Sequence, residues 1–187
     1  MKFLIVGLGN PGVEYVNTRH NIGFKVLDAL SESSNTSFTD DRHVKVTVIK
    51  HKGKSFYLIK PTTFMNLSGK AVNYWLQQLK IPTSNLLVVT DDIALPFGTL
   101  RMRGKGSDGG HNGLKDINAV LGHNNYPRLR FGVGNDFAKG CQADYVLSNW
   151  DSEQESLMNE RIDQAEKMCL SFGAIGLAQT MSNFNGK

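Results

Sequence analysis

The stretch MKFLIVGLGNPGVEYVNTRHNIG, residues 1–23, contains the feature on which the fold depends, a short apolar run that ends in glycines. Lys2–Val6 has the composition of a β-strand buried on both faces. Gly7, Gly9 and Gly12 follow with the spacing G-x-G-x-x-G, which in dinucleotide-binding folds joins a strand to a helix whose amino end meets the pyrophosphate. The stretch therefore leaves two alternatives, a nucleotide-binding loop or a sharp turn with another purpose.

The surroundings of these glycines disfavour a nucleotide-dependent oxidoreductase. A dinucleotide fold needs a helix that begins inside the glycine motif, and an acidic residue about 20 residues later at the end of the second strand. Here Asn10–Gly12 predicts a turn, and helical periodicity begins only near Asn21, so that Asp28 and Glu32 fall inside a helix. We interpret the glycines as a sharp turn at the carboxyl end of the first strand, which presents Asn10 to a crevice.

Strand and helix patterns then follow one another without a linker or a repeat. They predict one α/β domain over residues 1–187, with a mixed β-sheet flanked by helices on both faces. The predicted strands after the first are Val44–Lys50, Phe56–Lys60, Asn85–Val89, Thr99–Arg103 and Leu129–Val133. The predicted helices are Asn21–Glu32, a helix from Ser68 that stops before Pro82, Asn112–Leu121, and further helices after Val133.

Composition predicts a cytoplasmic protein and shows no cysteine spacing typical of a metal site. The chain has 187 residues, 40% of them hydrophobic, and its longest apolar stretches have the length of strands rather than of membrane spans or signal sequences. Cys141 and Cys169 lie far apart, without the spacing of a zinc site or a disulfide framework. Cys169 falls on the apolar stripe of a predicted helix, so we expect it to be buried.

Charge is distributed unevenly along the chain. The formal net charge is +4, and the segment Thr99–Lys139 carries this whole excess, with seven basic residues against three acidic ones. Lysines in Lys50–Lys54 are typical of a solvated hairpin turn. From Asp151 onward the sign reverses in a predicted acidic helix, which a polyanionic partner would avoid.

Several polar residues lie at the ends of predicted elements, where open α/β sheets build their sites. His20 precedes a helix, Asp91 ends a strand, Asn66 precedes another helix and Asn112 opens a third. Taken singly, each asparagine is more often a cap or turn residue. No G-x-S-x-G motif is present, and Ser68 is only a weak candidate nucleophile. A neutral histidine oriented by a carboxylate could instead deprotonate water, with amide N–H groups holding a carbonyl, which suits an activated ester.

Four motifs together resemble bacterial peptidyl-tRNA hydrolases: GLGNPG-x-x-Y-x-x-T-R-H-N-x-G, K-P-T-T-F-M-N-L-S-G-K-A-V, D-D-x-x-L-P-x-G and G-G-H-N-G-L-K. They occur in order through nearly the whole chain, to about Trp150. The resemblance implies a cofactor-free, monomeric enzyme that hydrolyses the ester between a peptide and the 3′-terminal ribose of tRNA. It implies His20 as the general base and Asp91 as the carboxylate that orients it.

The same resemblance implies roles for further residues. Asn10 and Asn66 would bind the peptide backbone or the attacking water, and Asn112 the 3′ end of the tRNA. Tyr15, Met65 and His111 would line the cleft. Four basic residues would face the acceptor stem: Arg103, Lys105, Arg130 and Lys139.

This chain departs from the family pattern at Ala94, Asp108 and Asn135, which concern affinity for tRNA more than the chemistry. An alternative is a non-catalytic RNA-binding protein on the same scaffold. Retention of both His20 and Asp91 argues against that alternative.

Overall fold

A seven-stranded mixed sheet with helices on both faces forms the centre of the molecule, as the sequence predicts. The computed structural model describes residues 1–187. The strands are β1 Lys2–Gly7, β2 Thr39–Asp41, β3 Val44–His51, β4 Lys54–Pro61, β5 Leu86–Asp92, β6 Leu100–Arg103 and β7 Arg128–Gly132. The helices are α1 Ile22–Ser33, α2 Ser68–Leu79, α3 Asn112–Leu121, α4 Gln142–Val146, α5 Ser152–Ile175 and α6 Leu177–Phe184.

The strand order is β2-β3-β4-β1-β5-β7-β6, with β1, β4, β5 and β7 parallel to one another. β1 is a continuous apolar run because both of its faces are covered. On one face the core includes side chains of α1 and α5, and on the other it includes side chains of α2 and α3. The edge pairs β2–β3, β3–β4 and β6–β7 are antiparallel.

β4 lies on one side of β1 in the sheet, and β5, which comes later in the chain, lies on the other side of β1. Such a reversal of strand order opens a crevice at the carboxyl ends of the neighbouring strands β1 and β5. Gly23, in the first turn of α1, lets the helix approach this crevice closely, since a Cβ there would lie 2.4 Å from the backbone nitrogen of Leu8 and 2.6 Å from the carbonyl oxygen of Val89. The segment just before α1, which contains His20, is thereby placed beside the end of β5.

Two features of the first loop agree with its interpretation as a turn. Gly12 has a φ of 120°, a conformation that favours glycine. α1 begins at Ile22, well past Gly12, and Asp28 lies inside it. A dinucleotide site requires a helix that starts within the glycine motif, and α1 does not start there.

Other predictions are met with small differences. Cys169 is buried and Cys141 is exposed. Lys52 and Gly53 form the tight turn of the β3–β4 hairpin with φ values of 47° and 74°. The sequence reading missed β2, whose three residues are all exposed. None of the helices combines the length and hydropathy needed to cross a bilayer.

Candidate active site

A cavity of about 650 Å³ opens at the carboxyl end of β5, beside the segments that follow β1 and β4. Its wall contains both polar and apolar side chains. The polar and charged members that the sequence indicates are Asn10, His20, Asn66, Asp91, Arg103, Lys105, His111, Asn112 and Arg130. The apolar members include Phe64, Met65, Ile93, Val146 and Leu147.

His20 and Asp91 form a buried pair within this cavity. The Nδ1 atom of His20 lies 2.9 Å and 3.0 Å from the two carboxylate oxygens of Asp91. His20 is 9% exposed and Asp91 is 4% exposed. An ionised carboxylate can only accept hydrogen bonds, so Nδ1 of His20 carries the proton and, in the neutral ring, Nε2 has a free lone pair. No protein group is hydrogen-bonded to that Nε2 atom.

His111 makes a second hydrogen bond to the same carboxylate. Its Nε2 lies 2.8 Å from Oδ1 of Asp91, and its Nδ1 accepts from the backbone N–H groups of Gly113 and Leu114 at the start of α3. Nδ1 is therefore unprotonated, and Nε2–H donates to Asp91. His111 thus joins the amino end of a helix to the carboxylate that holds His20.

The charge states of the pair follow from burial and mutual contact. Burial alone would lower the pKa of His20, but the charge and the hydrogen bond of Asp91 outweigh it and hold that pKa above its ordinary value. Burial would raise the pKa of Asp91, but the two histidines hold it well below its usual range. The carboxylate stays ionised under all conditions in which a neutral His20 could act as a base.

Three asparagine residues line the same cavity as the pair. The side-chain oxygen of Asn10 accepts a hydrogen bond of 2.7 Å from the backbone N–H of Met65, which leaves its Nδ2 group without a protein acceptor. Asn66 and Asn112 line the cavity with exposed side chains that have no protein hydrogen-bond partner. The cavity therefore offers several unpaired amide donors close to an unpaired imidazole nitrogen.

The chain is similar to known proteins over nearly its whole length. The family model described as peptidyl-tRNA hydrolase matches residues 4–187. The chain is 56% identical to a peptidyl-tRNA hydrolase of Bacteroides fragilis and 55% identical to one of Phocaeicola vulgatus, over the full length of each protein. The chain belongs to the peptidyl-tRNA hydrolase family.

Solved structures of peptidyl-tRNA hydrolase have the same fold. The Arg119Gln mutant of the enzyme from Acinetobacter baumannii superimposes with a TM-score of 0.93 at 34% identity, covering 98% of this chain and 94% of that one. A peptidyl-tRNA hydrolase in complex with N-propanol gives a TM-score of 0.92 at 33% identity, with the same coverage of both chains. The mixed sheet and the helix arrangement are therefore those of this family.

The basic residues of the peptidyl-tRNA hydrolase resemblance differ in their surroundings. Arg103 and Lys105 are exposed at the rim, and neither forms an ion pair with a carboxylate. Arg130 also lines the cavity, but its Nε donates to the carboxylate of Asp92. Its charge is thus partly balanced within the protein, unlike that of Arg103 and Lys105.

Tyr15, which was expected to line the cleft, and Lys139, which was expected to face the acceptor stem, lie outside the cavity wall. Tyr15 is half-buried at the end of a short 3₁₀ turn, and its backbone carbonyl accepts from the hydroxyl of Thr18. A role for Tyr15 in the cleft stays a prediction. Lys139 is exposed on the loop before α4 and also does not contribute to the wall.

Ser68 and the three departures from the peptidyl-tRNA hydrolase pattern also have clear positions. Ser68 is fully buried and its hydroxyl donates to the carbonyl of Met65, so it is not placed to act as a nucleophile. Ala94 and Asp108 line the cavity, and Asp108 accepts from the backbone N–H of Gly110. Asn135 is exposed and lies outside the cavity wall.

His20, Asp91 and His111 bring three potential metal-ligand atoms within 4.8 Å of one another. The hydrogen bonds fit a metal poorly. If Nε2 of His111 bound a metal, neutral His111 would carry its proton on Nδ1, which already accepts from two backbone N–H groups. Metal binding would therefore break the cap of α3.

Sequence reasoning missed two residues that hold the site together. Arg19 is buried, stacks on Tyr145 and Trp150, and donates to Ser148, the carbonyl of Asn149 and Gln154. Asn21 forms two hydrogen bonds with the backbone of Asn10. Both flank His20 in the T-R-H-N segment of the peptidyl-tRNA hydrolase motif, which was the only available signal.

Proposed function

We propose that this chain hydrolyses the ester between a peptide and the 3′-terminal ribose of peptidyl-tRNA, releasing peptide and free tRNA. Family membership supports the substrate class. The observation that carries the chemistry is the His20–Asp91 pair, which leaves Nε2 of His20 unpaired inside a cavity that offers free amide donors. Neither a nucleophilic side chain nor a cofactor is needed for such a reaction.

His20 acts as a general base on water in this proposal. Nε2 of His20 takes a proton from a water molecule while the oxygen of that water forms a bond to the ester carbonyl carbon. This gives a tetrahedral intermediate. The ionised Asp91 keeps the proton on Nδ1 and stabilises the imidazolium that forms. His111 donates to the same carboxylate and so restrains its position.

The intermediate collapses by breaking the bond between the carbonyl carbon and the ribose 3′ oxygen. The imidazolium returns the proton from Nε2 to that oxygen, which restores neutral His20 and completes the balance of the reaction. Amide N–H groups of Asn10, Asn66 and Asn112 are available to hold the peptide backbone, the attacking water and the oxygen that becomes negative.

These donors account physically for a preference for N-acylated substrates. The carbonyl of a peptide bond accepts from an asparagine N–H, whereas a free ammonium group has only donors and leaves the buried amide unpaired. A site built around such hydrogen bonds rejects the analogue that cannot make them. We therefore expect peptidyl-tRNA to be a better substrate than aminoacyl-tRNA.

Arg103, Lys105, Arg130 and Lys139 bind the acceptor stem of the tRNA and its 5′-phosphate in this proposal. Contacts to phosphates are independent of sequence, which suits an enzyme that accepts many tRNAs. We further propose that residues 1–187 act as one domain and as a monomer in the cytoplasm.

The test compares hydrolysis of N-acetyl-aminoacyl-tRNA and unacylated aminoacyl-tRNA, with EDTA present, by wild type, His20→Ala, Asp91→Asn and His123→Ala. His123 is an exposed histidine outside the cavity and serves as the matched control. We expect wild type and His123→Ala to hydrolyse the acetylated ester selectively. His20→Ala should lower the rate by about 10²- to 10⁴-fold, the usual range for general base catalysis.

The contrary results are equally specific. A wild-type protein that binds tRNA but cleaves neither ester would support the non-catalytic RNA-binding alternative. Full activity in His20→Ala would contradict the mechanism in which His20 activates water, but it would leave the assignment of the substrate in place.

A further inference from the structure

The side chain of Asn21 hydrogen-bonds the backbone of Asn10, and the chemistry above does not use it. Its Oδ1 accepts from the backbone N–H of Asn10 at 2.8 Å, and its Nδ2 donates to the backbone carbonyl of Asn10 at 2.9 Å. Asn21 is 2% exposed and Asn10 is 8% exposed, so neither pair of groups has ready access to water. Both backbone polar groups of Asn10 are thus held by one side chain.

The side chain of Asn10 has only one orientation compatible with these contacts. Its Oδ1 accepts from the backbone N–H of Met65 at 2.7 Å. Rotating the amide by half a turn would place Nδ2, a donor, against that N–H donor and would lose the bond. Nδ2 is then the only polar group of Asn10 without a protein partner, and it is available to the cavity as a donor.

We propose that Asn21 is a positioning residue that sets the specificity of the cleft, because it holds Asn10 so that the Nδ2 group of Asn10 donates to an acyl carbonyl of the substrate. The proposal rests on the proposed hydrolysis of peptidyl-tRNA. Asn21 does not touch the substrate itself and acts only through Asn10.

The two hydrogen bonds from the Asn21 side chain to the backbone of Asn10 form a clamp, and the position of Asn21 in the chain gives this clamp a second consequence. His20 and Asn21 are neighbours in the same 3₁₀ turn, Arg19–Asn21. One short turn therefore holds both the proposed base, through Asp91, and the amide that recognises the acyl group, through Asn10. The separation between the base and the bound carbonyl is set within this one turn, as efficient attack by water requires.

Asn185 provides a matched control within the same molecule. Its Oδ1 accepts from the backbone N–H of Met102 and its Nδ2 donates to the carbonyl of Met102, at 2.8 Å and 2.9 Å. This is the same two-bond clamp, made by the same residue type, but on β6 and outside the cavity wall. Its removal reports what the loss of such a clamp does to stability alone.

The kinetic experiment measures kcat/KM for N-acetyl-aminoacyl-tRNA and for aminoacyl-tRNA in wild type, Asn21→Ala, Asn10→Ala, the double variant and Asn185→Ala. We expect Asn21→Ala to lower the ratio of the two values by at least about tenfold, as misplacement of a substrate-binding group does. The double variant should lose no more selectivity than Asn10→Ala, because Asn21 acts through Asn10. Asn185→Ala should keep the wild-type ratio while also lowering thermal stability.

Two kinetic results would overturn the proposal. Equal losses on both esters in Asn21→Ala would assign the residue a merely structural role. Selectivity losses that multiply in the double variant would show that Asn21 acts independently of Asn10.

An NMR measurement separates this inference from the proposed function. The side-chain ¹⁵N–¹H₂ signals of Asn10 should form one sharp pair in wild type and in Asn185→Ala, and should shift or broaden in Asn21→Ala. If wild type cleaves neither ester but these signals behave as expected, the proposed function is wrong and the clamp on Asn10 stands. Unchanged Asn10 signals in folded Asn21→Ala would overturn the clamp whatever the activity.

Discussion

At the scale of single residues, Asp91 decides how His20 behaves. Burial of the imidazole lowers its pKa, and only the charge and hydrogen bond of Asp91 raise the pKa above its ordinary value. A general base acts only when it is neutral, so in the proposed mechanism the raised pKa of His20 costs activity at lower pH. In exchange, the carboxylate holds the tautomer whose Nε2 is free and stabilises the imidazolium.

The activity should therefore have an acidic limb that belongs to His20. We expect kcat/KM to fall as pH falls through the raised pKa of His20, because the protonated ring cannot accept a proton from water. Asp91→Asn removes the charge that raises this pKa, so the limb should move to lower pH while the plateau drops by about 10²-fold or more. A pH–rate profile under single-turnover conditions, together with NMR titration of the His20 ring, measures both effects.

Asp92→Asn supplies the control for this titration. Asp92 is the next carboxylate along β5, but it accepts from Arg130 and from the backbone N–H of Ala94, not from His20. Its replacement should leave the acidic limb where it is in wild type. A limb that stays in place in Asp91→Asn would contradict the assignment of that carboxylate as the partner of His20.

At the scale of elements, α3 contributes its amino end to the active site through an unusual cap. His111 occupies the position before the first turn, where serine, threonine, aspartate and asparagine are the common residues. Its Nδ1 caps Gly113 and Leu114 while its Nε2 donates to Asp91. One side chain thus has a structural and a chemical contact that substitution can separate.

His111→Asn and His111→Ala should separate these two contacts. Asparagine is a good cap but is too short to bind Asp91 from the same conformation, whereas alanine makes neither contact. We expect both variants to lower kcat by a similar factor, about tenfold, and His111→Asn to be more stable than His111→Ala by about 1 kcal/mol. Urea denaturation and steady-state kinetics measure the two quantities. Wild-type kcat in His111→Asn would show that the contact with Asp91 is dispensable.

The elements also show what sequence could and could not predict. α3 was predicted with its observed bounds, Asn112–Leu121, because its apolar period and its glycine end are both local signals. β2 was missed because three exposed residues have no pattern, and only pairing with β3 makes them a strand. The second contact of His111, with Asp91, depends on the packing of α3 beside β5, which no local pattern records.

The candidate site was predicted in the same uneven way. His20 and Asp91 were recognised from motifs, but their contact joins positions 71 residues apart and is a property of the folded sheet. Asn21 received no role of its own and was predicted only as the first residue of the helix Asn21–Glu32. Its actual partner is the backbone of Asn10, which the sharp turn after β1 brings next to it.

At the scale of the whole molecule, basic residues lie at both ends of the parallel strands, in different settings. The β3–β4 hairpin turn, with Lys52, lies at the amino end of β4, which is parallel to β1. The cavity lies at the carboxyl end of β5, also parallel to β1, and Arg103 and Lys105 are on its rim. A tRNA whose 3′ end enters the cavity is therefore near the second group and far from the first.

The salt dependence of tRNA binding should distinguish these two ends. Each cation that neutralises a phosphate releases counterions, so the slope of log Kd against log salt concentration reports the number of such contacts. We expect Arg103→Ala and Lys105→Ala each to weaken binding of different tRNAs uniformly and to reduce the slope by about 1. Lys52 is also an exposed cation, but it lies at the opposite end of the parallel strands from the cavity. Lys52→Ala should therefore change neither the affinity nor the slope. An equal loss of slope in all three variants would mean that tRNA binds by overall charge rather than at the rim of the cavity.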